Sequence, residues 1–479
     1  MQFYGGTPSG DLTYSDVFLV PSRSSVTSRL DVSLAPGDGT GATIPIVSAN
    51  MNSVTGPRLA AVLARRGGIG VLPQDMHLQD LDAAIRWVKA QPVAFDSALF
   101  FGPEVTVAEA LLTVPAVSGH GLVVRDANGE YLGCIPAARL GTALPDAQLG
   151  DLIHGGTAAI DADDITGGRA AFDLMVQAEL EFAPVLHHGA VIGTLSRTSA
   201  LRSTIYEPAL DAHGRLRVAA AVGINGDVEA KAKALAAAGV DVLVLDTAHG
   251  HQEGMLRALR LVSDLGLGLP IVAGNIVTAA AVNDLVAAGA DIFKVGVGPG
   301  AMCTTRMMTA VGRPQFSAVL ETASRARELG ASVWADGGVR YPRDVALALA
   351  AGGASVMIGS WFAGTIEAPG QLRTDERGRV YKESWGMASA KAVQERFERL
   401  DPYELARKRL FAEGISSSKI YLDPLRPSVE DLLDMITSGI RSSFTYAGAR
   451  SVAEFSERAL VGLQSAAGYE EGKALPVSW

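Results

Sequence analysis

Eight short, strongly apolar runs punctuate the chain, and stretches rich in Ala and Leu with helical periodicity recur between them. They span residues 44–49, 69–72, 218–222, 240–245, 271–273, 292–297, 332–335 and 356–358, and all but the second are followed at once by Gly, Asn or Asp. A strand that is apolar on both faces must be covered on both, and strands separated by helices pair in parallel. Eight such units match a closed (β/α)8 barrel of the α/β class better than a doubly wound open sheet.

The second and third runs are separated by an insertion over residues 93–203 whose texture differs and which repeats itself. Residues 121–135 read as strand, Asn128-Gly129 turn and strand, and residues 182–195 have the same rhythm. An extended segment leading into a helix precedes each hairpin, at 105–111 and 157–163. The pattern resembles a tandem pair of cystathionine β-synthase (CBS) motifs, a Bateman module, which implies a cleft for ATP or GTP. The expected organisation is a first barrel part over 1–92, the CBS pair over 93–203, and a second barrel part with flap and C-terminal tail over 204–479.

Composition excludes several classes of function. With 479 residues, 48% hydrophobic, the chain has material for a large core and more than one folding unit. No apolar stretch is long enough to span a bilayer and the N-terminus lacks a basic region followed by an apolar block, so a cytoplasmic protein with no membrane partner is expected. A net charge of −10 argues against nucleic acid, whose binding rests on a basic surface. The two cysteines, Cys134 and Cys303, make no disulfide framework and suit a reducing compartment.

Barrel enzymes carry their chemistry where the strands end, so the residues that close the runs are read together. The sixth run opens into a loop with Gly296, Gly298 and Gly300 ahead of Cys303, Thr304 and Thr305. Glycines let the backbone present amides and carbonyls to a ligand, and a thiol on such a loop is a candidate nucleophile. Cys134 lies in a hairpin strand and is expected to be buried and inert. The seventh run closes on Asp336-Gly337-Gly338 and the eighth on Gly359-Ser360, a setting for a phosphate between two neighbouring loops. Asp336 would accept from ribose hydroxyls beside that phosphate; standing alone, it would read as a helix cap.

Residues 294–306 resemble the signature loop of the family of IMP dehydrogenases and GMP reductases, and segments 12–21, 45–51, 246–250, 273–275, 335–338, Gly386-Met387 and 412–414 resemble other family motifs in the family's order. The resemblance implies a TIM barrel carrying the Bateman insertion and a purine nucleotide, GMP or IMP, as substrate. It implies that Asp336, Gly337, Gly338, Gly359 and Ser360 hold ribose and phosphate, with Ser48 also in contact. Gly386, Met387 and Ala388 would cover the purine, beside Glu413 and Gly414. Asp246, Thr247, Ala248, Gly296, Val297 and Gly298 would face a nicotinamide cofactor, with Asn275 nearby. Backbone carbonyls of Gly298, Gly300 and Cys303 would hold potassium, whose preference is for hard oxygen ligands.

The implied chemistry is attack of the Cys303 thiolate on C2 of the purine, with Thr305 and Glu413 relaying protons. It runs in two senses within the family. The reductase sense expels ammonia from GMP and takes hydride from NADPH to give IMP; the dehydrogenase sense passes hydride from IMP to NAD and hydrolyses the intermediate to XMP. The CBS pair resembles the dehydrogenases. Residues 309–321, Ala49-Asn50-Met51, 386–392 and 440–446 resemble the reductases, and Arg396-Phe397 lacks the Tyr of the Arg-Tyr pair that activates water in dehydrogenases. The reductase sense is the reading favoured, the dehydrogenase the alternative, and an inactive nucleotide sensor acting through its CBS pair the third. A homotetramer or homo-octamer is expected from the same resemblance.

Overall fold

A computed structural model of the chain describes residues 1–4, 6, 8–153, 159–386, 389, 394, 401–410 and 418–474. Eight parallel strands close into a barrel: β1 (Ile46–Ser48), β2 (Ile69–Leu72), β3 (Ala219–Gly223), β4 (Val242–Asp246), β5 (Ile271–Ile276), β6 (Ile292–Val295), β7 (Ser332–Asp336) and β8 (Ser355–Ile358). Each pairs with the next in sequence, and β8 pairs with β1. The apolar runs become strands because both faces are covered: Ala219–Val222 and Val242–Leu245 have no exposed surface.

The outer layer is a ring of α1 (Pro57–Arg65), α2 (Leu78–Lys89), α3 (Val228–Ala238), α4 (Glu253–Asp264), α5 (Ala279–Ala287), α6 (Gln315–Glu328), α7 (Pro342–Ala350) and α8 (Val429–Ala447). The last of these arrives late. After β8 the chain makes an antiparallel sheet from Arg373–Thr374, Val380–Ser384 and Ser418–Tyr421, then returns as α8 between α7 and α1. Its start is fixed by a capping box, in which the Ser428 hydroxyl accepts from Glu430 N and the Asp431 carboxylate accepts from Ser428 N.

The segment between α2 and β3 builds two small sheets with the same plan. Phe100–Phe101 runs parallel to Gly121–Arg125, which pairs antiparallel with Tyr131–Pro136; Ile160–Asp161, Phe182–His187 and Ala190–Ser196 repeat that arrangement. Each sheet has its own apolar core, the first around Leu122 and Ile135, the second around Met175 and Val185. The sequence repeat is thus a structural repeat. Cys134 is buried in the first, as expected.

Candidate active site at the barrel mouth

All the polar residues that close β4, β5, β6, β7 and β8 emerge at one end of the barrel, because parallel strands share a direction. Two cavities open there. One, of about 260 Å³, is walled by Gly300 to Thr305, Asp336, Gly337, Gly338, Gly359, Ser360 and Gly386, with Met51 and Trp361 as apolar lining. The other, of about 580 Å³, is walled by Asp246, Thr247, Ala248, Asn275, Lys294, Gly296, Val297 and Gly298. Ala248, Cys303 and Thr305 belong to both, so the thiol stands where the two cavities meet.

The loop that carries Cys303 is shaped by glycine. Gly296 leaves β6 at φ +151°, and a Cβ there would sit 2.0 Å from the carbonyl oxygen of Asp336. Only hydrogen fits that approach. Cys303 N donates to Gly300 O at 3.0 Å, closing a turn that leaves the side chain exposed, and its Sγ lies 3.2 Å from the Thr305 hydroxyl. The Gly337-Gly338 pair also needs the left-handed region, at φ +92° and +82°, which turns the chain away from β7 and leaves its backbone on the cavity wall.

Beneath both cavities lies a buried cation. The Lys294 ammonium reaches Asp246 Oδ1 at 2.7 Å and Asp336 Oδ2 at 3.0 Å, and it donates to Asn275 Oδ1. Burial disfavours the ammonium, but the two carboxylates outweigh it and hold the lysine above its ordinary pKa. Asn275 Nδ2 donates to Asp336 Oδ2 at 3.0 Å and to Gly296 O at 2.5 Å. Lys294 therefore ties the ends of β4, β5 and β7 to β6 and fixes the carboxylates of both cavities. Gln315, at the start of α6, adds a second tie by donating to Val295 O at 2.7 Å and Asp336 O at 3.1 Å.

Most residues expected from the sequence converge here. Cys303, Thr305, Asp336, Gly337, Gly338, Gly359, Ser360 and Gly386 share the smaller cavity, and the expected cofactor residues share the larger. Ser48 does not join them: it is fully buried on β1, where its Oγ accepts from the Thr55 hydroxyl at 2.8 Å, and Ala49 rather than Ser48 lines the cavity. Met387, Ala388, Glu413, Gly414 and the Arg396-Phe397 pair lie outside the described residues. Lys294 and Gln315 were missed as site residues, although a lysine inside an apolar barrel strand demands buried partners and was a usable signal.

Comparison with known proteins places this geometry in a family. The model of the IMP dehydrogenase / GMP reductase domain matches residues 11–474. The chain is 53% identical over 487 residues to the GMP reductase of Mycobacterium tuberculosis, covering 100% of both chains. It is 34% identical over 473 residues to the inosine-5'-monophosphate dehydrogenase of Staphylococcus saprophyticus, covering 96% of this chain and 94% of that one. A solved structure of a GMP reductase variant from Trypanosoma brucei in complex with guanosine 5'-monophosphate superimposes with a TM-score of 0.69 at 31% identity, covering 98% of this chain and 99% of that one. The chain belongs to the IMP dehydrogenase / GMP reductase family.

Proposed function

We propose that the chain is a GMP reductase, converting GMP and NADPH to IMP, ammonia and NADP. The observation that carries the reading is the place of Cys303, exposed where a glycine-walled cavity with Asp336 meets a second, larger one. The full-length likeness to a protein named GMP reductase, and the Phe397 that replaces the dehydrogenases' Tyr, support this sense over oxidation of IMP.

In this reading the phosphate rests on the backbone of Gly337, Gly338, Gly359 and Ser360. Asp336 Oδ2 is engaged by Lys294 and Asn275, so Oδ1 remains for a ribose hydroxyl. The purine is thereby set with C2 toward Cys303. The thiolate adds to C2, and the amino group leaves as ammonia after taking a proton, with Glu413 as donor. The Thr305 hydroxyl, which accepts from the thiol at 3.2 Å, can turn to donate to the thiolate. A reduced nicotinamide, when bound beside Cys303, would supply the hydride that C2 takes up; the C2–S bond then breaks and Cys303 is again a thiolate.

The larger cavity fits the nicotinamide end of a dinucleotide, since it reaches the thiol and offers the Asp246 carboxylate and the Asn275 amide along with glycine backbone. NADPH is the cofactor of this reading. Potassium is assigned to the carbonyls of Gly298, Gly300 and Cys303; Gly300 O already accepts from Cys303 N and keeps a second lone pair. Residues 93–203 are assigned as a tandem CBS module binding ATP or GTP, in a cytoplasmic homotetramer or homo-octamer; among the described residues no helix is long and apolar enough to cross a membrane. The test is the near-ultraviolet absorbance of reduced nicotinamide. It falls with GMP plus NADPH if the proposal holds, and a rise with IMP plus NAD, without that fall, overturns it.

A further inference from the structure

Another cavity, of about 330 Å³, lies between the barrel and the second half of the insertion, walled in part by Arg65, Arg66, Thr166, Gly167, Gly168 and Tyr206. Two arginines stand on its wall, and a third, Arg202, shares Glu430 with Arg66; Arg66 and Arg202 are neutralised. Arg66 is held by Glu430 at 2.5 Å and Asp96 at 3.2 Å, and Arg202 by Asp431 and Asp434, each at 2.7 Å. Arg65 is different. It is 1% exposed, its Nε donates to Pro92 O at 3.0 Å and its Nη2 to Ser97 Oγ at 2.8 Å, while Nη1 has no hydrogen-bond partner among the described residues.

A buried guanidinium without a bound carboxylate is costly, and an unanswered N–H adds to that cost. Burial draws the Arg65 pKa down to about 10, which leaves it cationic at neutral pH. The helix Gly168–Gln177 of the insertion begins at the same cavity. Its N-cap is Gly167, which has no side chain to occupy the first-turn amides, so the positive end of a ten-residue helix is left open. The Tyr206 hydroxyl on the same wall is spent elsewhere, since it donates to Asp434 Oδ1 at 2.8 Å.

We propose that this cavity is an anion site for a phosphomonoester dianion, either inorganic phosphate or the phosphate of a small phosphorylated metabolite, held between Arg65 of the barrel and the N-terminus of helix Gly168–Gln177. The occupant joins α1 to the insertion and fixes the insertion against the barrel. Its position is separate from the barrel mouth and independent of the direction in which the reaction runs there.

Titration calorimetry on the full-length protein tests this, with GMP saturating so that the barrel mouth is filled. The probes are inorganic phosphate and ribose 5-phosphate, at matched ionic strength. At least one is expected to bind, and the tighter of the two identifies free ion or phosphorylated metabolite. Arg65→Met removes the cation at similar volume, and Thr166→Glu sets a negative charge at an exposed wall position; each is expected to weaken binding by about tenfold or more, the size of one charge-assisted hydrogen bond. Thr166→Glu decides alone if Arg65→Met does not fold. Binding of neither probe to the wild type, or equal affinity in the wild type and the folded variants, overturns the proposal.

Discussion

Replacing Lys294 by Met removes the cation between two carboxylates and leaves the volume nearly unchanged. Asp246 Oδ1 and Asp336 Oδ2 both lie within 3.0 Å of the ammonium, so they are within about 6 Å of each other, and two like charges at that separation repel by about 3 kcal/mol at an effective dielectric of about 20. Loss of one partner from a buried pair costs about 3–5 kcal/mol in comparable cases, and the two figures agree. The sign with pH follows. In the wild type the Lys294 pKa is raised, so its stabilisation is complete below the ordinary lysine value and is lost only as pH rises through the raised one. Urea unfolding of both proteins at neutral pH measures the difference. The variant is also expected to bind GMP and cofactor more weakly, because Asp336 and Asp246 lose their common anchor. A deficit below about 1 kcal/mol refutes this reading of Lys294.

Gly296→Ala places a methyl group 2.0 Å from the Asp336 carbonyl oxygen at φ +151°, and a loss of at least about 2 kcal/mol in thermal or urea unfolding is expected; an unchanged midpoint would mean that the close approach is absent. Glu413→Gln should slow release of ammonia and leave the hydride step unchanged, which separate measurement of ammonia and of cofactor oxidation in single turnovers resolves; slowing of the hydride step alone contradicts its role as proton donor. Deletion of residues 93–203 should leave a barrel with cooperative thermal unfolding and a changed response to ATP or GTP, whereas loss of all soluble protein contradicts an independent module.

The barrel was readable because its strands are apolar on both faces, a pattern that few other architectures produce eight times. Their limits were less so. The apolar run 292–297 continues past the strand, which ends at Val295 because Gly296 adopts a backbone conformation that breaks the ladder. The eighth helix of the ring escaped the reading, since it follows β8 only after a separate antiparallel sheet. At the site, glycines and Cys303 stood out by residue type and spacing. Ser48 is buried on β1, and it is Ala49, its neighbour in the chain, that lines the cavity. Lys294 and Gln315 act through contacts between distant segments, which only the folded chain brings together.

The account rests on a bond between Cys303 and the purine, and acid quenching during steady turnover of GMP with NADPH, followed by mass spectrometry of the peptide that contains Cys303, looks for that bond directly. A purine nucleotide attached to Cys303 and lacking the 2-amino nitrogen is the predicted result, absent from Cys303→Ala, which should still bind GMP while turning none over. An unmodified peptide under turnover, together with activity retained by Cys303→Ala, would contradict it.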